Sequence, residues 1–150
     1  MITVEDVMTR DPVTLSRFNS LADARKPMNE KRFRHIPIVN EHKELIGLVT
    51  QRNVFQHGVS SQTFMDENEL SQIETGTLLS DVMTTHLTTV SPTQNIRHAA
   101  QLVFKNKFDC LPVIDDDGKL LGIITDHDFV EMTLHLLELM DEKEPIELDD

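Results

Sequence analysis

Sliding the chain along itself by 75 residues brings three phrases into register without a gap. "DVMT" (Asp6 to Thr9) falls on "DVMT" (Asp81 to Thr84), and "HIPIVN" (His35 to Asn40) falls on "CLPVID" (Cys110 to Asp115). "LIGLVT" (Leu45 to Thr50) falls on "LLGIIT" (Leu120 to Thr125). One offset shared by three separate matches marks a duplication, and the repeat frames every other reading of the chain.

Each copy has the same coarse pattern. A short extended piece, "PVTLS" or "LTTVS", ends at Ser16 or Ser91. These serines, or the following "FNS" and "TQN", suit a helix N-cap, because their side-chain oxygens can accept from the free N–H groups of a first turn. A helix is predicted next, with Leu21, Ala24 and Met28 on one face, matched by Ile96, Ala99 and Val103. The strand "HIPIV" or "CLPVI" follows, then the turn "NEHKE" or "DDDGK", in which Asp117-Gly118 signals a two-residue hairpin. A second strand, "LIGLVT" or "LLGIIT", pairs back, and a closing helix is expected from near Asn53 or Asp128. The predicted unit is β-α-β-β-α. Its nearly continuous apolar strands suit a sheet covered on both faces. Pro27 falls inside the first predicted helix, where a local bend is expected. Between the copies, Phe64, Met65, Leu70 and Ile73 are spaced for a short amphipathic helix. The organisation read from these elements is a first unit over 1–57, a linker over 58–77, a second unit over 78–137 and an acidic tail over 138–150.

Composition excludes several functions. The net charge is −12, and residues 81–150 carry five bases against fifteen acids, so the clustered cations that duplex nucleic acid requires are missing. No apolar run approaches the ~20 residues of a membrane span. The start "MITVEDVMTRDP" is acidic where a secretory signal is basic and then apolar, which leads us to expect a cytoplasmic protein. The single cysteine, Cys110, rules out an internal disulfide and a Cys-rich zinc site, and on an apolar strand it reads as a small buried hydrophobe. His127, Glu131 and His135 share a helix face, and Asp115 to Asp117 form an acidic run. The first suits a solvated face and the second a hairpin turn, so no metal is expected. No phosphate-binding loop, nucleophile elbow or zinc-protease motif appears, and no catalytic residue is assigned.

Two β-α-β-β-α units, each opening with "DVMT" and closing with Gly-h-h-Thr-x-x-Asp or Asn (h apolar), resemble a tandem CBS-domain pair, also called a Bateman module. The resemblance covers roughly residues 3–57 and 78–135. It implies an α+β (α/β) fold of two pseudo-symmetric units packed through their sheets, with two clefts between them. It also implies a regulatory sensor without catalysis, whose clefts bind an adenosyl compound: AMP, ADP or ATP, in some members S-adenosylmethionine or a dinucleotide. Carried over residue by residue, the main cleft would combine Ile123, Thr125, His127 and Asp128 with Met8, Val13, Phe33, Arg34 and His35. In it the Asp128 carboxylate would accept from both ribose hydroxyls, Met8 and Val13 would meet the purine, and Arg34, His35 and His127 would face phosphate. A second cleft, built on Thr50 and Asn53, would be weaker, since an amide offers one neutral acceptor oxygen. The resemblance further implies a homodimer, and the apolar residues of the closing helix, Met132, Leu136 and Met140 among them, suit such an interface. The effector protein is not specified. A ligand-free interaction adaptor is the alternative reading, and a nucleotide hydrolase using Asp126 to Asp128 is a more remote one.

Overall fold

The computed structural model describes residues 1–31, 33–57 and 66–143. In chain order the elements are α1 (Val4–Val7), β1 (Thr9–Arg10), α2 (Leu21–Lys31), β2 (His35–Val39), β3 (Leu45–Thr50), α3 (Gln51–His57), α4 (Glu67–Gly76), a 3-10 turn (Leu79–Asp81), α5 (Ile96–Asn106), β4 (Cys110–Ile114), β5 (Leu120–Thr125) and α6 (Asp126–Lys143). The fold is α+β, as expected. β2 and β3 form one antiparallel hairpin and β4 and β5 the other. The middle residues of β2 and β4 are buried, as their continuous apolar sequence requires.

The opening segments cross over. Thr9 and Arg10, from the first copy, pair with Ile123 and Gly122 of the second copy's β5. Thr84, from the second copy, pairs with Leu48 of the first copy's β3. Adding the offset of 75 turns one contact into the other, so the bridges come in symmetric pairs. Thr3↔Asn95 matches Ser20↔Leu78, while Glu44↔Lys119 is its own mate and lies on the pseudo-twofold axis. The two cores are mixed accordingly. One packs Leu21, Ala24, Met28, Ile36, Ile38, Val49 and Val54 with Leu79 and Val82 of the second opener. The other packs Val90, Ile96, Ala99, Leu111, Val113 and Ile124 with Val4 and Met8 of the first.

The glycine of the repeated phrase is what admits the opener. A Cβ on Gly122 would lie 2.6 Å from the Thr9 carbonyl oxygen and 2.8 Å from Met8 Sδ. A Cβ on Gly47 would lie 2.5 Å from Met83 Sδ and 2.9 Å from its Cγ. Each strand therefore omits a side chain at the point where the other copy's methionine crosses it.

Several local expectations are refined. Of the candidate N-caps, Ser16 and Ser91 do not cap, their hydroxyls accepting from Phe18 N–H and Thr93 N–H within turns, and the caps come from the "FNS" and "TQN" phrases. α5 is capped by Asn95, and α2 by Ser20, which exchanges bonds with Asp23. The hairpin loop is not two residues long. Asp115 N–H bonds the Lys119 carbonyl, leaving 116–118 as a three-residue loop with Gly118 at φ 82, a type I turn followed by a left-handed residue. Lys43 takes the same conformation in the first copy. α2 continues through Pro27 to Lys31. Of the predicted linker helix, Leu70 and Ile73 lie on α4, while Phe64 and Met65 are outside the described residues. A buried ion pair, Arg25–Glu74 at 2.7 Å, ties α4 to α2. α6 runs on to Lys143, past residue 137. No helix among the described residues is long and apolar enough to cross a membrane.

The two glycines give a graded prediction. Gly122→Ala forces a methyl group against backbone that is already strand-paired, and is expected to destabilise by about 1–3 kcal/mol. Gly47→Ala meets only the Met83 side chain and no backbone, and should cost clearly less. Urea unfolding of the two variants side by side measures this, and equal losses would show that the crossing of the openers does not set the cost.

Candidate functional site

Each closing helix begins directly at the end of a strand, and the Thr-x-x-Asp/Asn phrase makes the junction. In the first copy Asn53 Oδ1 accepts from Thr50 N–H at 2.8 Å and from the Thr50 hydroxyl at 2.9 Å, while Asn53 N–H donates to Thr50 Oγ1 at 3.0 Å. In the second copy Asp128 Oδ2 accepts from Thr125 N–H at 2.9 Å and from the Thr125 hydroxyl at 3.3 Å. This is capping-box chemistry, with the threonine as N-cap and the Asp or Asn reaching back from the third helical position. The helices therefore start at Gln51 and Asp126, two residues before Asn53 and Asp128, where the sequence places their beginnings.

The two copies then diverge. The free oxygen of Asp128, Oδ1, accepts from the Thr9 hydroxyl at 2.8 Å, a bond across 119 residues that ties the first opener to the last helix. Asp128 is only 6% exposed. Of the roughly four acceptor positions of a carboxylate, three are taken by protein donors.

A cavity of about 830 Å³ is lined by Arg34, His35, Thr50, Gln51, Arg52, Phe55, Gln56 and Asp109. A smaller one of about 270 Å³ shares His35, Thr50 and Asp109 with it and reaches Leu48, Thr88, Lys107, Phe108 and Cys110. Together they form a cleft with walls from both copies, in the size range of small-molecule sites. On the Asp128 side, a cavity of about 410 Å³ is lined by Asp6, Val7, Met8, Thr9, Asp128, Glu131, Met132 and His135.

Charge is concentrated at the mouth. Arg34 reaches across the units and binds both carboxylate oxygens of Asp126, at 3.2 and 3.3 Å. Burial lowers the pKa of His35 below its ordinary 6.5, an effect that nearby Arg34 reinforces and Asp109 and Asp126 oppose. At neutral pH His35 therefore presents a neutral imidazole, and the fixed positive charges lining this cavity are Arg34 and Arg52. Burial, aided by Asp128, Asp109 and Asp126, pushes the Cys110 thiol up to about 12, so it stays protonated and inert.

The residues assigned to the main cleft from sequence are thus distributed. Met8 and Asp128 share one cavity, and Arg34 and His35 share the other. Thr125 holds Asp128, and Ile123 pairs with Thr9. Val13 and Phe33 are half-buried outside these cavities, and His127 is exposed, its backbone N–H donating to Asp126. Sequence reasoning left the Thr50 cleft as Thr50 and Asn53 alone. The offset of 75 would have completed it: Val13, Phe33, Arg34, His35, Ile123 and His127 map onto Thr88, Phe108, Asp109, Cys110, Leu48 and Arg52, all of which line the two joined cavities. Among the described residues no group of three His, Cys, Asp or Glu side chains converges on a metal position.

Comparison with known proteins places this geometry. The family model described as CBS domain matches twice, over residues 4–60 and 79–135. A Vibrio cholerae protein provisionally described as an acetoin utilization protein (AcuB) superposes with a TM-score of 0.80 at 41% identity, covering 97% of this chain and 99% of that one. The CBS-pair protein CBSX2 of Arabidopsis thaliana, solved in complex with AMP, superposes at a TM-score of 0.75 with 30% identity, covering 91% of this chain and 98% of that one. The homoserine O-acetyltransferase of Methanocorpusculum labreanum is 29% identical over 139 residues, 93% of this chain, but this chain spans only 25% of that enzyme.

The buried imidazole gives a pH prediction. Because the folded-state pKa of His35 is depressed, the unfolded chain takes up the proton first. The associated stability is complete above about pH 6.5 and is lost as pH falls through the lowered folded-state value. Unfolding free energy measured between about pH 7 and 5 should fall with acid in the parent and fall less in His35→Gln. An identical slope in both would show that His35 is not held neutral by the fold.

Proposed function

The chain belongs to the CBS-domain family, as a tandem pair, and from that premise we propose that it is a regulatory sensor that binds an adenine nucleotide between its two units and carries no catalysis of its own. The observation that carries this reading is the cleft around Thr50, which both copies build and which has two guanidinium groups at its mouth. A similar CBS-pair protein, at 30% identity, binds AMP. In the proposed complex the purine enters among Leu48, Phe108 and Pro112, the ribose meets Thr50, and the phosphate meets Arg34 and Arg52. Cys110, the single thiol, is too basic to act as a nucleophile at neutral pH. A separate effector protein reads the signal.

The geometry supports an order of the clefts opposite to the one suggested by sequence. A carboxylate is the stronger ribose acceptor, but Asp128 is buried and already holds three donors, so a ribose must displace the Thr9 hydroxyl. The Thr50 cleft has its space ready. Calorimetry with AMP should find its dominant site weakened about tenfold or more by Arg52→Ala, since a charge-assisted bond contributes roughly 1.5–3 kcal/mol. Asp128→Asn should weaken that site at least about fivefold less than Arg52→Ala does. Loss of the dominant site in Asp128→Asn instead would return it to the Thr125–Asp128 cleft. The satisfied carboxylate also favours a second reading, a ligand-free adaptor, and absence of binding across AMP, ADP, ATP and adenosine would establish it.

We also propose a homodimer through α6. Val130, Leu134 and Leu137 follow each other at i, i+4 and i+7 and are 58%, 57% and 49% exposed; Met140 is 62% exposed. Met132, which the sequence places on this face, packs instead into the second core beside Phe129. The interface therefore centres on Leu134 and Leu137. Light scattering should give a mass near twice the 17.2 kDa of one chain. Leu134→Glu should shift it toward one chain, because a carboxylate in an apolar interface carries a large desolvation cost. A parent mass of one chain at micromolar concentration would overturn the proposal.

A further inference from the structure

The Arg34–Asp126 pair joins the two halves of the module at a place where a ligand anion would also sit. Arg34 lies just before β2 of the first copy and lines the 830 Å³ cavity beside Thr50. Asp126 is the first residue of α6, in the second copy. Both Asp126 oxygens lie within hydrogen-bond distance of Arg34 Nη2, and the two side chains are 57% and 49% exposed. Asp109 lines the same cavity but makes no ion pair with Arg34 among the described residues.

We propose that Asp126 is a specificity-determining residue: it is the internal counter-ion that a ligand's phosphate must displace from Arg34, and it sets how strongly the cleft prefers phosphorylated over unphosphorylated adenosyl compounds. This role rests on the nucleotide reading above and on three physical features of the cleft. Both Asp126 oxygens sit on Arg34 Nη2, so a phosphate that approaches this nitrogen competes with the carboxylate for its donors. The pair is solvent-exposed, so its strength is modest and exchange with a ligand anion is feasible. Arg52 carries no ion pair among the described residues and lines the same cavity, so it can hold the phosphate while Arg34 changes partner. The cleft then discriminates by charge through Arg34, and Asp126 attenuates that discrimination.

The test is calorimetry on the full chain with adenosine, AMP and ATP, comparing the parent with Asp126→Asn, Arg34→Ala and the double variant. Asp126→Asn keeps the oxygen that accepts from His127 N–H, so the helix start is preserved. It should strengthen AMP and ATP binding by roughly two- to fivefold, the scale of an exposed ion pair, and move adenosine by less than about twofold. The gain should shrink as salt is raised from low to physiological ionic strength. In the Arg34→Ala background the same substitution should have no effect on any ligand. If Asp126→Ser reproduces the gain, side-chain amide chemistry is not its source. An unchanged ratio of AMP to adenosine affinity in Asp126→Asn, or a gain that persists without Arg34, overturns the role of Asp126 while leaving the nucleotide reading intact. Absence of binding by all three ligands overturns both.

Discussion

The contact on which the rest of the structure depends is the crossing of each "DVM" opener over the other copy's glycine. Met8 lies against Gly122 and Met83 against Gly47, close enough that a single methyl group on either glycine would collide. Neither half can complete its core alone, because Val4 and Met8 belong to the second core and Leu79 and Val82 to the first. Burying each such side chain contributes roughly 1.5–3 kcal/mol, and that contribution would be lost for all four if the copies separated with their openers attached. The cleft between the units is consequently a product of the fold rather than of a docking between finished domains. Its walls are held in register by the strand pairing Thr9↔Ile123 on one side and Leu48↔Thr84 on the other.

The same short phrase does two things at each junction. The threonine and the Asp or Asn three residues on close the first turn of the helix, and they do so beside the cleft. Equivalent exchanges occur at Thr3–Asp6 and Ser20–Asp23, neither of which lines the cavities beside Thr50. Capping alone therefore accounts for the spacing, and the spacing by itself carries no ligand information. What distinguishes the two cleft copies is the partner of the remaining side-chain atoms. In the second copy the extra carboxylate oxygen accepts from Thr9, while in the first the amide oxygen accepts only from Thr50 among the described residues.

Much of the fold was legible because periodicity and duplication are local or self-referential signals. The offset located both hairpins, but the extended pieces read at "PVTLS" and "LTTVS" make only the isolated bridges Leu15↔Ile38 and Val90↔Val113, and β1 lies earlier, at Thr9–Arg10. The apolar faces of α2 and α5 are buried or partly buried where the helical spacing placed them. The crossing of the openers was not legible, for a definite reason. A repeat tells which residues are equivalent, but a segment packed in its own unit and one exchanged with its neighbour have the same sequence. The Thr9–Asp128 bond was invisible for the same reason, since nothing local links residues 119 apart. The Thr50 cleft was legible in principle, by shifting the residues assigned to its twin. The hairpin loop misled because Asp117-Gly118 suits two turn types, and only the pairing of Asp115 with Lys119 decides between them.

Comparison of the two copies position by position shows where the symmetry is kept and where it is given up. Positions that form the crossing are alike: Gly47 and Gly122, Met8 and Met83, Leu48 and Ile123. Positions around the cleft mouth are not. Arg34 stands opposite Asp109, Arg52 opposite His127, Gln51 opposite Asp126 and Asn53 opposite Asp128. Every one of these differences makes the first copy more positive or the second more negative. The backbone is close to twofold symmetric, as its paired bridges show, yet the mouth is polar, with its guanidinium groups from one copy and its carboxylates from the other. Arg34, Asp109 and Asp126 all act on the His35 imidazole. A nearly symmetric fold with an asymmetric rim thus supplies two clefts that differ in size and in charge.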